Sequence, residues 1–264
     1  MATSSGSRCG IANQACCIRL PFCIQSGTLT IKQFGTKTQN MYTYKGKLWF
    51  IFKMVYKIDH PFITDSLSHL RDKETDVAKF RRHSDRLCEL LFAEAIRGLD
   101  FNEIEITTPL EVKIKTKKLK DEVIIIPILR AGLAMLFGAM KLLPKSKIGF
   151  LGLERDEKTA VAREYYCKLP RITANSVVVI TDPMLATGGS ILQTLRKLKG
   201  FKPKDIRVVC VIAAPEGIAL IQKEFPNVDI FTAAVDECLN NKKYILPGIG
   251  DYGDRYFGTT DQPC

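Results

Sequence analysis

Asp182, Thr187, Gly188, Gly189 and Ser190 stand in close order between the apolar run Val177-Val-Val-Ile180 and a helix-like stretch at residues 191–199. The two glycines remove Cβ atoms where backbone must close on an anion. The two hydroxyls add donors beside a helix N-terminus, whose free N–H groups favour negative charge. This combination suits grip on a phosphate. Asp182 is the odd member, because a carboxylate repels phosphate, and sugar hydroxyls are its natural partner. A polar strand-to-helix loop with Ser190 as an ordinary N-cap would explain Thr-Gly-Gly-Ser alone. Asp182 in this order after a strand favours a sugar-phosphate cradle.

A second loop, Pro127-Ile-Leu-Arg-Ala-Gly132, also follows an apolar run. Arg130 sits in it as a fixed cation among small residues, with planar donors that suit a diphosphate. Arg155 and several other charges follow a further strand-like stretch, where composition alone describes a solvated hairpin. Near the C-terminus, Gly248-Ile-Gly250-Asp-Tyr-Gly253 matches the dinucleotide fingerprint G-x-G-x-x-G. That reading fails, since the eleven residues that remain hold no βαβ unit and no acidic residue about 20 positions on. The glycines instead expose backbone donors and acceptors to the edge of a flat polar base.

Asp182-Pro-Met-Leu-Ala-Thr-Gly-Gly-Ser190 resembles the sugar-diphosphate loop of the uracil phosphoribosyltransferase family, within the type I phosphoribosyltransferases. Pro183 stands where the wider superfamily carries a second acid, as is typical of the uracil branch. Ile128-Leu-Arg-Ala-Gly132 resembles the family's pyrophosphate loop, and Tyr244-Ile-Leu-Pro-Gly-Ile-Gly-Asp-Tyr-Gly-Asp-Arg-Tyr-Phe-Gly-Thr259 its uracil-binding hood. The likeness covers about residues 59–264, with four motifs in family order.

It implies transfer of a phosphoribosyl group from 5-phosphoribosyl 1-diphosphate (PRPP) to uracil, giving UMP and diphosphate in pyrimidine salvage. Asp182, Arg130 and Asp251 would be catalytic. PRPP would lie against Arg130, Arg155, Asp182, Pro183, Met184, Leu185, Ala186, Thr187, Gly188, Gly189 and Ser190, and uracil against Ile245, Gly250, Asp251 and Tyr252. Mg²⁺ would be bound mainly through substrate, with no direct protein ligand. The resemblance further implies a homo-oligomer, dimer or tetramer, and a GTP effector. The rival reading is a non-catalytic sensor or regulator on the same fold, against which the intact Arg130, Arg155, Asp182 and Asp251 weigh.

Alternating patterns position these loops. Residues 123–129, 148–153, 177–181, 206–213 and 228–235 read as strands, and residues 111–119 as a solvated strand lined with lysine. Residues 74–97 form an amphipathic helix closed by Gly98, and residues 131–143, 191–199 and 216–225 are further helices. The order predicts an α/β fold with a doubly wound, mainly parallel sheet, to which the family resemblance adds a β-arm and a C-terminal hood. Ligands of such sheets lie beyond the strands' carboxyl ends.

The formal charge of +11 belongs largely to one end. Residues 1–58 carry eight Lys or Arg and no acid, leaving 31 basic and 28 acidic residues for 59–264. That balance argues against nucleic acid as a partner. Residues 1–58 are expected to be a disordered or organelle-targeting extension, or in part untranslated upstream of Met41 or Met54. Residues 59–264 are expected to form the phosphoribosyltransferase domain. The longest apolar runs fall far short of the ~18 residues of a membrane span. Nine scattered cysteines without a C-x-x-C pair indicate a reducing, cytoplasmic setting. His60, His69 and His83 show no ligand spacing and predict no metal site.

Overall fold

The computed structural model describes residues 30–34, 37–44, 47–50, 54–155 and 162–259, with backbone alone before residue 54 and at residues 155 and 162. Three short strands, Thr30–Phe34 (β1), Lys37–Tyr44 (β2) and Lys47–Phe50 (β3), pair antiparallel within the acid-free N-terminal region.

The main body follows. Val55–Lys57 (β4) leads to helices Pro61–Arg71 (α1) and Val77–Ala95 (α2), and then to an exposed antiparallel hairpin, Phe101–Thr107 (β5) with Lys113–Leu119 (β6). Glu122–Leu129 (β7), Leu133–Leu142 (α3), Lys147–Ile148 (β8), Phe150–Arg155 (β9) and Ala162–Lys168 (β10) come next. Ser176–Thr181 (β11), Met184–Leu185 (β12), Gly189–Lys199 (α4), Asp205–Ala213 (β13), Pro215–Glu224 (α5) and Asp229–Val235 (β14) complete the sheet and its helices. Cys238–Leu239 (β15), Ile245–Leu246 (β16) and Tyr252–Phe257 (α6) build the C-terminal hood.

The sheet runs β10-β9-β7-β11-β13-β14-β4, and β10 is its one antiparallel member along that path. Strand β4 pairs with β14 and so joins the sheet ahead of Asp59. The chain leaves β7 through α3 toward β9 on one side, and leaves β11 through α4 toward β13 on the other. The crossovers therefore diverge between β7 and β11, where a doubly wound sheet opens a crevice.

The apolar strand runs show no alternation of residue type because both faces are covered. Val123, Ile125, Val177, Val179, Val209 and Val211 face α1, α2, α3 and the hood. Ile124, Ile126, Val178, Ile180, Val208 and Cys210 face α4 and α5. Local chemistry sets the helix starts. Asp76 caps α2 by accepting from the Lys79 N–H at 2.9 Å. His60 caps α1 through Nδ1, 3.1 Å from the Phe62 N–H, with Pro61 in the first turn.

Candidate active site

Strands β7 and β11 end side by side, with Pro127 registered against Thr181, so Arg130 and Asp182 both emerge at the crevice. Two contacts lock the loops together. The Thr181 hydroxyl donates to the Gly132 carbonyl at 3.2 Å, and a Cβ on residue 132 would lie 2.3 Å from the Thr181 carbonyl oxygen. Only glycine fits there. The Leu129–Arg130 peptide is cis.

After Asp182 the chain does not become loop at once. Pro183 and Leu185 turn into the sheet, because β12 pairs with β13 through Met184↔Ile212 and Leu185↔Ala213. Leu185 is fully buried. The side chains of Pro183 and Leu185, expected as substrate-binding residues, lie in the core, as strand alternation requires. Helix α4 then begins at Gly189, ahead of the start that an N-cap at Ser190 would give. Its N-cap is Gly188, left-handed at φ 81° and lacking any side-chain cap. First-turn N–H groups have no intrahelical acceptor, so those of Gly189, Ser190 and Ile191 remain for a ligand. Gly188 packs against α5, where a Cβ would come 2.9 Å from the Gly217 carbonyl. The Ala214-Pro-Glu-Gly217 turn behind the cradle is a part that sequence reasoning missed.

Asp182 retains some accessible surface, but its surroundings are dense enough that desolvation dominates its titration. Burial pushes the carboxyl up to about 6, opposed by the Met184 N–H that donates to it at 3.2 Å. Such a displaced carboxyl at a crevice makes Asp182 a candidate functional group.

The hood closes the other side of the crevice. Arg130, 57% exposed, reaches Asp254 of α6 at 2.5 Å and the Thr259 hydroxyl at 3.4 Å. Asp251 caps α6, its Oδ1 accepting from the Asp254 N–H at 2.9 Å. A Cβ on Gly253 would sit 3.4 Å from that Oδ1 and 3.5 Å from the Ala131 Cβ, so hood and diphosphate loop are in apposition. Gly250 is exposed with φ 82°, leaving its backbone groups at the surface.

Two expected uracil neighbours have their side chains elsewhere. Tyr252 is 1% exposed: its ring meets Phe80 edge-on at 5.1 Å and its hydroxyl donates to Ser84 at 2.6 Å. Ile245 is 3% exposed in the same cluster. The Tyr252 side chain is thus an anchor in the core. Tyr252→Phe should remove the hydrogen bond given to the buried Ser84 hydroxyl, lowering stability by ~0.5–1.5 kcal/mol. Urea unfolding and the KM for uracil check this: a raised KM at unchanged stability would put the hydroxyl on the base.

Sequence reasoning also missed what holds the hood down. Arg71, at the end of α1, donates to Asp236 at 2.5 and 3.0 Å and to the Gly248 carbonyl at 2.8 Å. The Gly248 N–H donates to Asp236 at 3.0 Å. Arg255 donates to the Ile249 carbonyl at 2.8 Å and to the carbonyls of Leu70 and Asp72, over the Phe80 ring. No local pattern could have paired Arg71 with a residue 165 positions away.

Arg155 ends β9 beside β7, and its side chain lies outside the described residues, as do residues 156–161 of the arm between β9 and β10. Among the described residues, the four cysteines Cys88, Cys167, Cys210 and Cys238 are free thiols, and no helix is long and apolar enough to cross a membrane. The single His/Cys/Asp/Glu cluster with metal-ligand geometry among them is Asp65, His69 and His83 on α1 and α2, rather than at the crevice. Tertiary packing supplies a proximity of His69 and His83 that linear spacing hides.

The family model described as uracil phosphoribosyltransferase matches residues 57–259. A uracil phosphoribosyltransferase of Malacoplasma penetrans is 46% identical over 206 residues, covering 78% of this chain and all of the relative. One from Bacillus cytotoxicus is 46% identical over 206 residues, covering 78% of this chain and 98% of the relative. A solved Aquifex aeolicus protein is similar in structure, with a TM-score of 0.75 and 38% identity over 79% of this chain and all of its own.

Proposed function

The chain belongs to the uracil phosphoribosyltransferase family, and from that membership we propose a division of labour within its active site. The enzyme is a pentosyltransferase that converts uracil and PRPP to UMP and diphosphate, on the type I phosphoribosyltransferase fold. The observation that carries the assignment of residues is the apposition of hood and diphosphate loop, with Arg130 reaching from one to Asp254 of the other.

The first-turn N–H groups of α4, with the hydroxyls of Thr187 and Ser190, hold the 5′-phosphate. Asp182 accepts from the ribose hydroxyls and fixes the ring for attack. Arg130 exchanges Asp254 for the diphosphate, where its planar donors meet charge as the C1–O bond breaks. Arg155 is assigned to the same diphosphate from its place at the end of β9. The backbone of residues 250–252 reads the edge of uracil, whose N1 loses its proton as the bond to ribose forms. Backbone groups in fixed order reject bases with the opposite donor and acceptor pattern.

The carboxylates at the rim, Asp182 and Asp251, do not make a cage of hard oxygen ligands, and Asp251 is already engaged as a helix cap. Mg²⁺ fits here as a companion of the diphosphate, supplying charge neutralisation on the leaving group. A homo-oligomer and a GTP effector belong to this reading through the family resemblance alone.

Asp251→Asn removes charge from the face between base and diphosphate and should raise the KM for both substrates, by roughly tenfold, about the weight of one charge-assisted hydrogen bond. Full activity would mean that the hood acts by backbone alone. The reaction itself is tested by incubating the protein with labelled uracil, PRPP and Mg²⁺, with hypoxanthine and orotate as controls. Labelled UMP from uracil alone is expected. No product from uracil, or equal product from either control, overturns the reading.

A further inference from the structure

We infer that Asp65, His69 and His83 form a binding site for a divalent transition ion of the zinc class, which staples α1 to α2 away from the catalytic crevice. One ligand atom from each residue lies within 4.8 Å of the others. Asp65 and His69 stand one helical turn apart on the same face of α1, with the His69 Nε2 3.9 Å from the Asp65 carboxylate. His83 arrives from α2, its ring stacked on that of His69 with centroids 4.0 Å apart.

A second observation points to a ligand. The Nδ1 of His83 is buried and has no hydrogen-bond partner, a condition that native structures resolve with an ordered water or an ion. Two imidazoles and a carboxylate make a borderline donor set that suits Zn²⁺ with a water in the fourth position, and suits Mg²⁺ poorly. Arg86 opposes a strong site, since its guanidinium lies 3.3 Å from the other Asp65 oxygen, and Arg82 adds positive potential.

The consequence for the fold lies a few residues on. Helix α1 ends in Arg71, which clamps Asp236 and Gly248 of the hood. An ion that fixes α1 on α2 therefore stiffens the support of the hood without touching substrate.

The test uses the full chain stripped with chelator and titrated with Zn²⁺. One equivalent is expected to bind and raise the melting temperature, with no comparable rise from Mg²⁺ at the same concentration. His69→Gln and Asp65→Asn, both at exposed positions, should each bind at least about tenfold more weakly. His83→Gln should do the same, and if it fails to fold the other two variants carry the test.

Because the chain holds nine cysteines, Co²⁺ is used as a spectroscopic probe. Ligand-field bands without a thiolate charge-transfer band support the site. Absence of binding, binding unchanged in His69→Gln and Asp65→Asn, or a thiolate spectrum that persists in those variants overturns it.

Discussion

Arg130→Ala is expected to lower kcat/KM for PRPP by about 10²–10³-fold, or ~2.7–4 kcal/mol, the usual loss when one preorganised donor to developing charge is removed. The protein should stay folded, because the guanidinium is 57% exposed and its partner Asp254 is itself 31% exposed. A surface ion pair of this kind contributes ~1 kcal/mol or less to stability. The loss should therefore be almost wholly kinetic. Arg130→Lys should fall between the two, keeping charge but losing the planar fork. Steady-state kinetics with PRPP varied at saturating uracil, beside a thermal melt, separates these effects. Unchanged kinetics in Arg130→Ala would remove the residue from the site.

Asp182→Asn should trade activity for stability, in a way that depends on pH. In the folded protein the carboxyl titrates at about 6, raised by burial, against ~3.9 in an unfolded chain. Between those values the folded state holds a proton that the unfolded state has lost. Stability therefore falls as pH rises through that window, and the loss is complete above about pH 6. The gap between the folded and unfolded values corresponds to ~3 kcal/mol at most.

Asn in place of Asp182 keeps an acceptor for the Met184 N–H and carries no charge. It should match the parent near pH 4 and be more stable by ~1–3 kcal/mol at pH 8. Turnover should fall at every pH, and in the parent it should rise as Asp182 ionises and becomes a better acceptor for ribose hydroxyls. Melting curves at pH 4 and pH 8 test the electrostatic half, which fails if the variant gains nothing at pH 8. Unimpaired turnover would detach Asp182 from the ribose.

The central strands were legible because burial on both faces enforces uninterrupted apolar runs: residues 177–181, 206–213 and 123–129 lie within β11, β13 and β7. The loops at their ends followed, since strand order alone brings Arg130 and Asp182 to one edge. Helix α1, six-residue α6 and the charged strand β5 were not found, because short or exposed elements carry weak periodicity. Residues 74–97 overran α2 at its start, where Asp76 caps the helix.

Within the site, contiguous residues do not all turn their side chains the same way. The β-pleat sends Pro183 and Leu185 into the core, and the ring of Tyr252 is taken by Phe80 and Ser84. The Arg71–Asp236 clamp and the apposition of His69 with His83 are products of tertiary packing and leave no mark in local spacing. Glycine carried more information than its chemistry suggested. Gly132 and Gly188 are both set by a neighbouring backbone at van der Waals limit, one against Thr181 and the other against Gly217.

In the proposed complex one crevice holds the ribose phosphate at its sheet edge and the base at its hood. A crystal structure of the protein with UMP tests this arrangement most directly. The 5′-phosphate is expected on the first-turn N–H groups of α4, the ribose hydroxyls on Asp182, and the uracil edge against the backbone of residues 250–252. UMP bound with its base away from the hood, or its phosphate away from Thr187 to Ser190, would contradict it.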